Sequence, residues 1–122
     1  MTKKVSISEY SNNKKAQQLG DKLIKNGMVL MPYPLKSDII VDFSLGTDYT
    51  TRVLTMAFMS YTPVVIASKD FSDEERKIAE DYGYEIPVFF TDGTEDGILA
   101  AVNFFLKEAR KPHVYTMADI EV

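Results

Sequence analysis

The chain has 122 residues, 14 basic and 18 acidic side chains, a formal net charge of −4 and 45% hydrophobic residues. That length suits one domain with a substantial core, and interspersed, slightly acidic charge excludes the broad basic field of a sequence-independent nucleic-acid binder. The absence of cysteine excludes disulfides, thiolate catalysis and cysteine-ligated metals, and a single histidine, His113, excludes a histidine-rich metal site within one chain.

No apolar run approaches the ~20 residues of a membrane helix. The start, Met1-Thr2-Lys3-Lys4-Val5, runs straight into a strand-like segment with no apolar signal core. The expectation is a cytoplasmic protein with neither a membrane nor a nucleic acid as partner.

In chain order, Lys3 to Ser8 alternates as a strand, with Val5 and Ile7 on one face and Lys4 and Ser6 on the other. Ser11 or Asn12 is placed to cap a helix over Lys14–Asn26, whose Ala16, Leu19, Leu23 and Ile24 fall at helical spacing. Asn26-Gly27 supplies its left-handed stop. Met28 to Met31 is a short apolar strand that Pro32-Tyr33-Pro34 ends. Asp38 to Phe43 is a β-branched run typical of a buried parallel strand, opening into a loop at Ser44.

Tyr49 to Tyr61 reads as a largely apolar helix with Val53, Leu54, Ala57 and Phe58 inward and Met56 and Met59 extending the apolar surface. Pro63 to Ala67 is a strand with proline at its first position. Ser72-Asp73-Glu74-Glu75 is a capping box for a helix that ends at Gly83. Pro87 to Phe90 is a further strand, and Asp92 to Gly97 a loop and helix start. Ile98, Leu99, Ala101, Val102, Phe105 and Leu106 form a broad stripe, Lys107, Arg110 and Lys111 fall in the last turn, and Pro112 stops the helix. Residues 113–122 read as a last strand or tail of the same single domain, 1–122. The alternation predicts a parallel sheet with helices on both faces and right-handed crossovers. The link between the second and third strands shows no helix pattern.

Ligands in such folds bind at the carboxyl ends of the strands. Four loops meet that condition: Ser8–Asn13, Phe43–Asp48, Ala67–Ser72 and Thr91–Asp96. The first lacks the glycines that let backbone N–H groups reach a pyrophosphate, and its Glu9 repels phosphate. Its Ser11, Asn12 and Asn13 offer donors and Lys14 or Lys15 charge, although an ordinary solvated loop with a helix cap is the favoured reading. Where an acid for an adenosine ribose would end the second strand, the chain has Met31-Pro32-Tyr33-Pro34, with Lys36 later. Tyr33 is placed to stack on a ring, or is an exposed turn residue.

Asp42 is a candidate base or ribose acceptor, but a cap on neighbouring backbone N–H groups is the favoured role, and Asp38 caps the start of the same strand. Ser68-Lys69-Asp70 is a well-placed polar triplet in which Lys69 faces an anion or simply pairs with Asp70. Asp92, Glu95 and Asp96 suit a hard cation, although the helix dipole explains them without one. His113 has no acid or nucleophile partner in sequence, and no nucleophile–base arrangement is assembled anywhere.

Asp38-Ile39-Ile40-Val41-Asp42-Phe43-Ser44 resembles the "DVVIDFS" strand of bacterial dihydrodipicolinate reductases (4-hydroxy-tetrahydrodipicolinate reductases). Pro63 to Ser72 sits where that family has an apolar strand followed by "GTTGFS", Glu85 to Thr91 resembles its "IPVVFS" strand, Gly97 matches the glycine of its "NxSxGV" helix start, and Asp119 to Val122 resembles its "DIEI" strand. The similarity runs in order through nearly the whole chain. It implies a Rossmann-like three-layer α/β/α fold with a mainly parallel sheet, and an ancestral cleft for NADH or NADPH in an oxidoreductase of lysine biosynthesis.

The chain also departs from that pattern. The first loop has no glycine, "GTTG" is Ala67-Ser68-Lys69-Asp70, and Gly93 stands at the asparagine of "NxSxG". The family's "HHxxKxDAPSGT" catalytic segment would follow Val122. The resemblance therefore implies a diverged cofactor domain that is not catalytically competent alone, and it carries over no catalytic residue. Ser11, Asn12, Asn13, Asp42, Ser44, Ser68 and Lys69 are its candidate contacts with NAD(P)H or another nucleotide. The alternative is a non-catalytic interaction or regulatory protein that has lost cofactor binding. Oligomerisation, as a homo-oligomer or with a partner chain, is expected in either case, because the surface facing a second domain must be covered.

Overall fold

A computed structural model describes residues 2–32, 36–44 and 46–120. Tyr33 and Pro34 of the predicted turn, and Glu121-Val122 of the last family-like segment, lie outside the described residues. The elements are β1 (Lys4–Ile7), α1 (Lys14–Lys25), β2 (Val29–Leu30), β3 (Ile39–Asp42), α2 (Thr47–Ser60), β4 (Val64–Ile66), α3 (Asp73–Tyr82), β5 (Pro87–Phe90), α4 (Glu95–Lys107) and β6 (His113–Thr116). Short 3-10 turns cover Tyr10–Asn12 and Met117–Asp119.

The six strands form one all-parallel sheet in the order β2-β1-β3-β4-β5-β6. Helices cover both faces, so the fold is a Rossmann-like three-layer α/β/α sandwich. Among the described residues no helix is long and apolar enough to cross a membrane.

Strand alternation divides the core. Val5, Ile7, Ile39, Val41, Val65 and Phe89 face α1 and α4, while Ile40, Val64, Ile66, Val88 and Phe90 face α2 and α3. The central strands are fully buried, as their unbroken β-branched runs require. Phe89 anchors the first layer, with its ring edge-to-face against Phe104 and Phe105 at centroid distances of 5.6 and 5.9 Å.

The crossovers differ from expectation in one place. α1 steps from β1 to β2 on one face, and α2 and α3 step the opposite way on the other face. Those three share one hand, the right-handed one that strand twist favours. α4 steps outward from β5 to β6 in the same direction as α2 and α3, yet packs in α1's layer. Its crossover therefore has the opposite hand. The reason lies in packing: α1 covers only one end of its face, and the broad stripe Ile98, Ala101, Val102 and Phe105 fills the rest over β3 and β4.

Other differences are local. Asn13, not Ser11 or Asn12, caps α1, its side chain accepting from the Ala16 N–H at 3.1 Å, because the 3-10 turn has absorbed the two earlier residues. Ile24 and Phe58 are about half exposed (49% and 47%) rather than buried, since Leu23 and Ala57 carry the inward phase of their helices. α4 ends at Lys107, and Arg110 instead lies over the Phe104 ring at 3.7 Å and donates to the Phe104 carbonyl.

Candidate functional site

The chain leaves β1 for β2 on one side and resumes at β3 on the other. The topological switch point therefore lies between the carboxyl ends of β1 and β3. The register places Ile7 beside Val41, so Ser8 comes beside Asp42. The Ser8 hydroxyl donates to Asp42 Oδ1 at 2.7 Å and accepts from the Phe43 N–H at 2.7 Å. The same Oδ1 accepts from the Ser44 N–H at 2.8 Å and from the Ser44 hydroxyl. Asp42 is thus a cap on a neighbouring backbone N–H, and it also locks two strands together.

Asp42 is buried, and its Oδ2 has no hydrogen-bond partner. Burial pushes its carboxyl above the ordinary range, opposed by the hydrogen bonds from Ser44 and Ser8. Alternation from Ile40 turns its side chain toward the α2 layer.

A cavity of about 610 Å³ opens on the other side, between the starts of α1 and α4 and the ends of β4 and β5. Its floor is apolar: Leu19, Phe43, Ala67 and Ile98. Asn13, Lys14, Lys15 and Gln18 form one wall, and Ser68, Lys69, Asp70 and Asp92 to Glu95 the other. Its size falls within the range of small-molecule sites.

The second wall is built by its turns. The Thr91 hydroxyl donates to the Ile66 carbonyl at 2.7 Å and accepts from the Gly93 N–H at 3.1 Å. Gly93 has φ +80°, and a Cβ there would sit 3.3 Å from the Lys69 Cβ. The left-handed backbone favours glycine, and a Cβ there would press on the Lys69 stem. Asp92 Oδ1 accepts from the Thr94 hydroxyl at 2.7 Å and N–H at 3.0 Å, which holds its carboxyl below the ordinary range, with a smaller contribution from Lys69. Thr94 caps α4 through the Gly97 N–H at 3.0 Å. Glu95 pairs with Lys22, whose ammonium it pushes above the ordinary range by hydrogen bonding and charge.

Of the residues singled out from sequence, Asn13, Ser68 and Lys69 come together in this cavity, with Lys14 and Lys15 beside them. Ser11 and Asn12 are exposed on the 3-10 turn, where the Ser11 carbonyl accepts from Gln17. Asp42 and Ser44 are tied up in the buried network instead. The Asp92–Asp96 acids are helix-start groups, and among the described residues no cluster of three acids or histidines has metal-binding geometry. His113 begins β6 beside Pro87, at the opposite end of the sheet, with its ring 5.0 Å from that of Tyr115.

Ser8 and Phe43 open two of the candidate loops, but the bond of Ser8 to Asp42 and the cavity places of Gln18, Phe43 and Ile98 were not legible in the sequence. Ser8 needed the strand order, and the other three needed knowledge that α1 and α4 share a face.

A dinucleotide would lay its pyrophosphate on the first loop. Here Glu9 holds a left-handed backbone (φ 60°), a 3-10 turn follows, and Ser8 is committed to Asp42. That stretch does not fit a pyrophosphate. No protein-family model matches the chain, and no curated protein matches it.

Proposed function

We propose that the chain is a stand-alone, diverged relative of the dihydrodipicolinate reductase cofactor domain that binds a nucleotide and does no chemistry alone. NAD(P)H is the ligand that the ancestry implies, and other nucleotides fit the same reading. One observation carries it: Ala67–Asp70 and Gly93–Glu95, which stand at the "GTTG" and "NxSxG" positions of that family, meet the start of α1 around one cavity. Three lysines on its walls and an apolar floor suit a phosphate and a ring.

Calorimetric titration with NADH, NADPH and common nucleotides tests the reading. Saturable binding that Lys14→Met/Lys15→Met weakens supports it, and no heat with any of them refutes it. Turnover of dihydrodipicolinate with a nicotinamide cofactor would refute the non-catalytic part.

A second reading, a non-catalytic oligomeric interaction protein, rests on exposed aromatic and apolar residues around α2. Tyr49, Phe58, Met59 and Tyr61 are all exposed there, Met59 at 71%. Light scattering tests this second reading: a monomer at all concentrations removes it.

A further inference from the structure

We infer that the cavity's ligand is a phosphate monoester of mononucleotide size, its phosphate held by Lys69 opposite Lys14 and Lys15, and not a dinucleotide. The inference rests on the nucleotide-binding reading above and narrows it.

The cavity's extent limits the size of its ligand. It runs from the start of α1 to the ends of β4 and β5, and its described lining includes nothing from residues 8–12 and nothing from β2. A dinucleotide spans the switch point and needs both halves. At the β1 and β3 ends the hydroxyls of Ser8 and Ser44 already bond Asp42, and the unpartnered Asp42 Oδ2 belongs to a side chain turned toward the α2 layer, away from the cavity.

Among the described residues Lys14 and Lys15 form no ion pair. The acids nearby are mostly committed: Asp92 Oδ1 to Thr94, and Glu95 to Lys22. Asp70 is exposed at the rim, and its backbone N–H is held by the Ser68 hydroxyl at 3.1 Å. Lys14 and Lys15 are thus left for an anion, and Lys69, which also faces the Asp92 carboxylate, stands opposite them. A monoester phosphate carries about −1.5 to −2 charge at neutral pH and suits several cations at once. Lys69 is the positioned member, because its stem lies against Gly93.

The test is calorimetry on the full chain with AMP, GMP, CMP and UMP, their nucleosides, NADH and NADPH. At least one monophosphate is expected to bind about tenfold or more tighter than its nucleoside and than either dinucleotide. Lys69→Met is expected to weaken that binding roughly tenfold, the effect of one charge-assisted hydrogen bond. It should leave the thermal midpoint unchanged, since Lys69 is exposed. A dinucleotide that binds tightest, a nucleoside that matches its monophosphate, or an indifferent Lys69→Met variant each overturns the inference while nucleotide binding stands. Absence of binding by every probe overturns both.

Discussion

Glu75 joins two helix starts, so its removal should loosen both. It is buried at 6% exposure. Oε1 accepts from the Ser72 N–H at 3.3 Å and hydroxyl at 3.1 Å, closing the capping box of α3. Oε2 accepts from the Gly46 N–H at 3.0 Å and the Thr50 hydroxyl at 3.3 Å, holding the start of α2. Gly46 and Ser72 are exposed and rehydrate on truncation, whereas Thr50 is fully buried. Glu75→Ala should therefore cost about 3 kcal/mol, less than the sum of four charge-assisted bonds. Glu75→Gln keeps one acceptor oxygen and should cost about half as much.

Urea unfolding reads the difference directly. With a slope of about 2 kcal/mol per molar, Glu75→Ala lowers the midpoint by about 1.5 M. The sign of the pH dependence follows from the carboxyl. Burial opposes ionisation, but the bonds from Gly46, Ser72 and Thr50 outweigh it and hold the group below its ordinary 4.5. Its stabilisation is present above that value and fades as pH falls through the folded value. The gap between wild type and Glu75→Gln should close in acid. A loss below about 1 kcal/mol for Glu75→Ala, or a gap independent of pH, would refute the double-cap account.

Asp42 has the opposite sign: burial raises its folded value, so the stability it contributes is complete below the ordinary 3.8 and is lost as pH rises through the folded value. Asp42→Asn should therefore gain on wild type with rising pH in urea titrations, and a constant difference between the two would count against it. Gly20 is the contact point for the first loop, because a Cβ there would lie 2.6 Å from the Tyr10 ring and 3.3 Å from Leu30. Gly20→Ala should cost about 1–2 kcal/mol despite its better helix propensity. Tyr10→Ala in the same chain should remove most of that cost, and a double-mutant cycle with no coupling would show the contact to be irrelevant.

What the sequence disclosed depended on range. The α3 capping box was legible because Ser72 and Glu75 lie three residues apart. The second oxygen of Glu75 was not, because Gly46 and Thr50 come from another helix. Asp42 was readable as a local cap through Ser44, while its bond to Ser8 depends on β1 lying beside β3. The parallel sheet and its two helical layers followed from alternation. The hand of the last crossover did not, because it is fixed by where α4's stripe finds uncovered sheet. Ser68 and Lys69 were placed correctly at a strand end, but the apolar floor beneath them is made by helices distant in sequence.

The most direct test of the central claim is an amide chemical-shift titration of the labelled chain with AMP and, separately, NADH. The account predicts saturable shifts at Asn13–Lys15, Ser68–Asp70 and Gly93–Glu95, around the cavity between α1 and α4. Shifts confined to the exposed side of α2 with both ligands, or no shifts with either, would contradict it.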